Sequence, residues 1–206
     1  MRKTLVALTT TGLALLLASV GTAASPQTVT ISASRPSVVF GKSVTLSGKV
    51  SNSKAGENVS VLAEPFGTAA FAALAPVQTV SGGHWSEDVK PMIETSYQAK
   101  WKSATSSTVS VKVRPLITLT LVNKATGSFS TKVMAARSFA GKFVLVQRLS
   151  STGVSTLKRV TLDANSAASF RVRLHAGRSR LRVVMPSSQT APGYITGTSN
   201  VVTVLH

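Results

Sequence analysis

Five consecutive residues, His84-Trp85-Ser86-Glu87-Asp88, hold the one local set in this chain of a hydroxyl, an imidazole and two carboxylates. Hydrolysis by a Ser-His-acid relay would need those groups to converge on one substrate atom, and such relays draw their members from distant segments. Neighbours on a strand point to opposite faces, so the stretch reads as a hairpin tip with Trp85 in the core. The second half of the chain has a single carboxylate, Asp163, which cannot form an acid and base pair alone. Metal chemistry has no better footing. His84, His175 and His206 are far apart with no ligand spacing, and calcium wants several carboxylates in one loop, where only Glu87 and Asp88 are adjacent. No glycine-rich phosphate cradle opens a helix. Asn58-Val59-Ser60 matches the glycosylation triplet and is read as chance. The expectation is therefore no catalytic residue, no metal, no cofactor and no enzyme activity.

Charge is more informative than any motif. Twenty-three Lys and Arg face six Asp and Glu, a net charge of +17. Between residues 25 and 115 nine basic side chains meet five acidic ones, while between 116 and 206 twelve meet one. A surface this cationic attracts polyanions, and nucleic acid, acidic cell-wall polymer and a membrane surface all qualify on charge alone. In Phe170-Arg171-Val172-Arg173-Leu174 and in Arg180-Leu181-Arg182-Val183 the Arg residues alternate with core positions, so both pairs should face solvent. A specific nucleic-acid site would also want aromatic stacking platforms, which are not evident.

The elements that carry these residues read as short strands. Arg2 and Lys3, the apolar run Leu13–Ala18 and the small residues Gly21-Thr22-Ala23-Ala24 have the form of a secretory leader, assigned to residues 1–24. The apolar run is shorter than the about 20 residues of a membrane span, and no later segment is apolar for long enough either. Without any Cys, neither a lipid-modified Cys nor a disulfide framework is available, and a packed core must hold the fold. From Thr28 apolar residues alternate, Arg35-Pro36-Ser37 breaks the run as an edge strand switching partners would, and Val44 and Leu46 face inward after Gly41. Asn52–Gly56 is turn chemistry. Residues 65–76, rich in Ala and bracketed by Pro, fit a short helix, an irregular strand or a loop. Val77–Val80, Trp85–Val89, Tyr97–Trp101 and Val109–Val113 complete about seven strands, the count of an immunoglobulin-like sandwich.

Arg114-Pro115 ends that unit, and Leu116 starts a fresh alternation. The second half replays the first. Ala140-Gly141 answers Ala55-Gly56 and Phe170 answers Trp85 at an offset of 85, which grows to 93 for Val202-Thr203-Val204 against Val109-Ser110-Val111. An insertion specific to the second unit is thereby located at Pro186–Tyr194. The organisation expected is all-β: leader 1–24, sandwich 25–115, strongly basic sandwich 116–206, with the two sandwiches end to end and little freedom between them.

The Val39–Gly48 front edge, the Ala-Gly-x-x-Val turn and Tyr97-Gln98-Ala99 resemble the bacterial immunoglobulin-like repeat domains of exported and surface proteins, the actinobacterial kind above all. In immunoglobulin domains a Tyr two residues before the second Cys locks a corner of the sheet; Tyr97 matches it and Ala99 fills the Cys position. In the second unit Leu181 and Val183 stand there instead, so that corner cannot have the same bond. The resemblance implies an extracellular setting, secreted or retained at the cell surface, and a spacer, adhesive or carbohydrate-contacting role without catalytic residues. Its strand order places Arg171 and Arg173 in one sheet and Arg180 and Arg182 in the other, spreading the charge over both outer faces. One anomaly remains. If Val144 and Val146 face inward, then Phe143, Leu145 and Gln147 face outward beside Arg180 and Arg182, which makes a partner-binding face, a surface covered by the 186–194 loop, or a strand one residue out of register. The partner expected is a protein or an anionic cell-wall or matrix polymer. The leader predicts that the mature chain begins at Ala24 or Ser25 outside the membrane, and intact-mass measurement on culture fluid and wall fractions checks it; full-length chain confined to the membrane fraction would contradict it.

Overall fold

In a computed structural model, which describes residues 26–174 and 176–205, nearly all regular structure is β. The leader assigned to 1–24 lies outside the described residues, as do His175 and His206. Among the described residues no helix is long and apolar enough to cross a membrane. The first half forms β1 (Ser32–Ala33), β2 (Ser37–Val39), β3 (Val44–Lys49), β4 (Asn58–Pro65), β5 (Ala72–Gln78), β6 (His84–Val89), β7 (Thr95–Trp101), β8 (Ala104–Thr105) and β9 (Val109–Arg114). The second half forms β10 (Leu116–Asn123), β11 (Ser128–Met134), β12 (Phe143–Ser150), β13 (Gly153–Thr161), β14 (Ala167–Arg171), β15 (Arg178–Met185), the short helix α1 (Ser187–Thr190), β16 (Gly197–Thr198) and β17 (Val202–Leu205).

Each half is an immunoglobulin-like sandwich of two sheets. In the first, β1-β3-β6 faces β2-β9-β7-β4-β5; in the second, β10-β11-β14 faces β13-β12-β15, with β16 and β17 both pairing β15. Pro36 does what its missing N–H suggests. The chain leaves its antiparallel pairing with β3 at Ala33 and resumes at Ser37 as a parallel partner of β9, crossing from one sheet to the other. In the second sandwich the Asn200 carboxamide does a similar job, accepting the Leu119 N–H at 2.9 Å and donating to the Leu119 carbonyl at 3.0 Å, as a strand peptide would.

The repeat is visible in the hydrogen bonds. Ser106 Oγ accepts the Ala99 N–H at 2.9 Å and Ser199 Oγ accepts the Val183 N–H at 2.8 Å, each before the last strand of its sandwich. Gly56 and Gly141 both take φ above +70°, which is why the turn into the third strand carries Gly in each copy. Residues 65–76 resolve into a turn followed by the edge strand β5, whose Ala-rich run shows no alternation because nearly all of it is exposed.

Trp85, Tyr97, Ala99 and Trp101 are all buried in the first sandwich. Trp101 Nε1 donates to Glu57 Oε2 at 2.9 Å and Asn52 Nδ2 to Glu57 Oε1 at 2.6 Å, and these bonds hold the Glu57 carboxyl below its usual value. Two expectations change. Residues 84–88 are the body of β6 rather than a hairpin tip, with Trp85 inward and His84, Ser86 and Asp88 exposed. Tyr97 is buried, and burial pushes its phenol up, but among the described residues its hydroxyl has no backbone partner, so the expected corner bond is absent.

A different tyrosine ties backbone to backbone. Only the buried Pro115 separates β9 from β10, and the insertion after β15 folds back across this junction. Tyr194 donates to the Met92 carbonyl at 2.6 Å and accepts the Ala136 N–H at 2.9 Å. Around it the Glu94 N–H donates to the Gly193 carbonyl and the Ile195 N–H to the Val113 carbonyl, both at 3.0 Å, while Arg114 Nη1 donates to the Thr196 carbonyl at 2.9 Å. Gly193, at φ 81°, must be Gly on space as well, since a Cβ there would sit 2.7 Å from Ile93 Cδ1. Phe139 meets the Tyr194 ring edge-on at 5.8 Å, and the Arg137 guanidinium lies over both rings. Beside the short linker, an insertion docks on the first sandwich across the junction.

Two stability outcomes follow. Trp85→Ala should cost about 3 to 5 kcal/mol by urea denaturation, and an unchanged midpoint would contradict the packing described. Tyr194→Phe strands the Met92 carbonyl and the Ala136 N–H and should cost about 1 to 3 kcal/mol, whereas a variant as stable as the parent would show that the junction does not depend on that hydroxyl.

Candidate functional site

The direction of the strands decides where the charge collects. β12 starts beside the junction, where the Phe143 N–H donates to Gln189 Oε1 of the insertion at 3.2 Å, and runs outward to Ser150. Its partner β15 is antiparallel, starting at the free end with Arg178 and finishing at Met185 by the insertion. The residues late in β12 and early in β15 therefore share the end of the molecule remote from the first sandwich, and the segment after β14 reaches the same end.

Arg148 is the centre of that end. At the offset of 85 it stands where the first sandwich has the buried Ala63, on the inward parity of Val144 and Val146, both fully buried. A register shift between Val146 and Gln147 in the β12–β13 ladder precedes it. The side chain is half-buried between the sheets; Nη2 donates to the Arg173 carbonyl at 3.0 Å, and the buried Nε has no partner. Two crevices open on either side of it. One, of about 250 Å³, is lined by Arg148, Leu157, Lys158, Arg171, Val172 and Arg173. The other, of about 410 Å³, is lined by Arg148, Leu149, Ser150, Ser151, Arg178 and Arg180.

Among the described residues no carboxylate side chain forms an ion pair with these cations. Asp163, the lone carboxylate of the second half, accepts the N–H groups of Asn165 and Ala167 at 2.8 and 2.9 Å in a turn. Among the described residues the one ion pair is Lys102 with Glu57 at 3.5 Å, in the first sandwich. The strand order divides the cations between the two sheets, as expected. Arg171 and Arg180 do belong to opposite sheets, but Arg148 reaches between the sheets and joins their surroundings at one end.

The residues singled out in the sequence divide between two places. Phe143, Leu145, Gln147 and Arg182 form one half-buried row on the outer face of the β12–β15 sheet. The Arg159 guanidinium lies 4.0 Å over the Phe143 ring, Gln189 of the insertion reaches the Phe143 N–H, and Arg182 Nε donates to Gln147 Oε1 at 2.9 Å. Arg180, exposed and opposite Leu149, belongs to the free end instead. Arg148, Lys158 and Arg178 escaped the sequence reading, and a strand-by-strand comparison of the two halves, with Arg replacing Ala at an inward position, is the signal that could have found Arg148.

The first sandwich has the same opening with other chemistry. Between β5 and β6 lies a cleft of about 400 Å³ lined by Ala63, Leu74, Val89, Met92 and Ile93, with Glu87 and Asp88 on its rim. Of the residues 84–88, Asp88 accepts the Thr45 hydroxyl at 2.6 Å, and no hydrogen bond links it to His84 or Ser86 among the described residues. No group of three His, Asp or Glu side chains suited to a metal ion occurs among the described residues.

No family model matches the chain, and no curated protein matches it. Among solved structures it is similar to a tetra-tandem repeat in the extending region of a large adhesion protein, at 11% identity over 87% of this chain and 49% of that one, with a TM-score of 0.35. This chain thus spans about half the length of that structure. It is also similar to bovine butyrophilin, at 11% identity over 88% of this chain and 100% of that one, with a TM-score of 0.37. The assignment to immunoglobulin-like sandwiches rests on the ladders themselves.

Proposed function

We propose that the chain is a non-catalytic attachment module, exported by the leader at 1–24, whose first sandwich serves as a fixed stem and whose second sandwich holds an anionic polymer of the cell surface or surrounding matrix. One observation carries this reading: Arg148, Lys158, Arg171, Arg173, Arg178 and Arg180 border two crevices at one free end, and Asp163, the one Asp or Glu side chain of that half, is engaged in a turn. Leaving like charges together costs stability, and a polyanion laid across them offsets that cost while releasing its own condensed counterions. The lock at Tyr194 keeps the stem from folding over this end, so polymer and stem occupy opposite ends of one body.

Retention of the intact protein on a polyanion resin tests the reading. Binding should weaken linearly on a log–log plot against salt, with a slope that reflects several ionic contacts. Passage through the resin at low salt, or an association with surface material that salt leaves unchanged, would sink it.

A further inference from the structure

The geometry points to a defined site for a linear polymer of repeating phosphate groups on an aliphatic backbone, which lies across Arg148 with an anionic group in the crevice on each side. This deepens the attachment reading and rests on it. Diffuse attraction needs only net charge, whereas here one side chain is held in place between two openings. Backbone anchoring by the Arg173 carbonyl fixes the Arg148 guanidinium, and its Nε is left buried without a partner, so part of the donor fork is positioned before any ligand arrives. Lys158 is similarly directed, donating to the Arg171 carbonyl at 3.5 Å beside the smaller crevice. Arg178 and Arg180 border the larger one. Cations on both sides of a fixed fork match a ligand that repeats its anion, and Arg forks match the oxygen geometry of phosphate.

The apolar lining selects among polyanions. Leu149, Leu157 and Val172 are the apolar side chains of the two crevices, and among the described residues neither crevice is lined by Trp, Tyr or Phe. Single-stranded nucleic acid is held by stacking its bases on aromatic platforms, and sugar rings present flat faces that call for the same, so both lose their main contact here. A lipid surface would be met by an aromatic or broad apolar tip. The exposed apolar side chains in strands of the second sandwich include Val122, Val154 and Leu205, with no Trp, Tyr or Phe among them. An aliphatic chain carrying phosphates asks only for the contacts present.

The test measures the affinity of the full chain for long-chain inorganic polyphosphate and a glycerol phosphate polymer at fixed moderate salt. Polygalacturonate, oligothymidylate and phosphatidylglycerol-containing vesicles serve as the other arms. Arg148→Gln should weaken the phosphate polymers about tenfold, and Lys142→Gln, the same charge change at the junction end, by less than about twofold. Equal losses in the two variants would overturn the site while leaving the attachment reading intact; failure of the parent to bind any polyanion would overturn that reading itself. Tighter binding of polygalacturonate, oligothymidylate or the vesicles than of either phosphate polymer would overturn the ligand class. Because Arg148 is half-buried, the doubly substituted Arg171→Gln/Arg178→Gln chain, altered at exposed positions on either side of it, provides an independent measure. It should lose more than the product of two Lys142→Gln effects, and a loss equal to that product would again count against a defined site.

Discussion

Like charge held at one end of a β-sandwich is the constraint that the second half of this molecule is built around. At a separation of 4 Å in water two unit charges repel by about 1 kcal/mol, and more where protein displaces water, so a cluster with no carboxylate side chain against it among the described residues is a standing cost. The rest of the sandwich has to outweigh it without a disulfide. It does so through packing and hydrogen bonds within the sandwich and at the junction. Phe129 and Phe170 stack at 5.9 Å between strands of the small sheet, and Asn200 replaces a missing strand pairing with two side-chain hydrogen bonds to Leu119. At the junction Arg137 lies over Phe139 and Tyr194 and donates to the Thr190 carbonyl at 2.6 Å.

The two halves show how a duplicated framework diverges. Their strand orders agree apart from β2, which has no counterpart among the described strands of the second copy; their glycine corners agree, and the Ser106 and Ser199 hydroxyls accept equivalent N–H groups. What differs is the filling of the opening between the sheets. Ala63 leaves the first opening apolar under the carboxylates of Glu87 and Asp88, and Arg148 at the corresponding place brings charge into the second. A small residue tolerates exchange at the margin of a core far better than at its centre, where Val59, Val61, Val144 and Val146 are the same in both copies and fully buried.

Local physics made the strands legible. Alternation over Val44–Lys49 and Leu116–Asn123, the Pro36 break and the paired glycines at 56 and 141 each report on their immediate neighbours, and the change of offset from 85 to 93 located the insertion. The rest depended on distance. Tyr194 finds its partners at Met92 and Ala136, 102 and 58 residues away, so nothing near it in the chain marks it as a lock. β5 hid because an exposed edge strand of Ala and Pro has no buried face to impose alternation. Arg148 hid for the opposite reason: its parity said core, and the opening beside it is what leaves room for a guanidinium at that place.

The insertion and the cationic end depend on each other through strand direction. An insertion between the last two strands of a sandwich emerges where β15 finishes, and β15 finishes opposite to where it starts. Docking that insertion on the first sandwich therefore commits the start of β15, with Arg178 and Arg180, to the far end. Had the extra residues entered between β14 and β15, they would have emerged among the cations and covered the crevices. The length gained by the second copy thus lies at the junction, away from the cationic end, and this placement follows from antiparallel pairing alone.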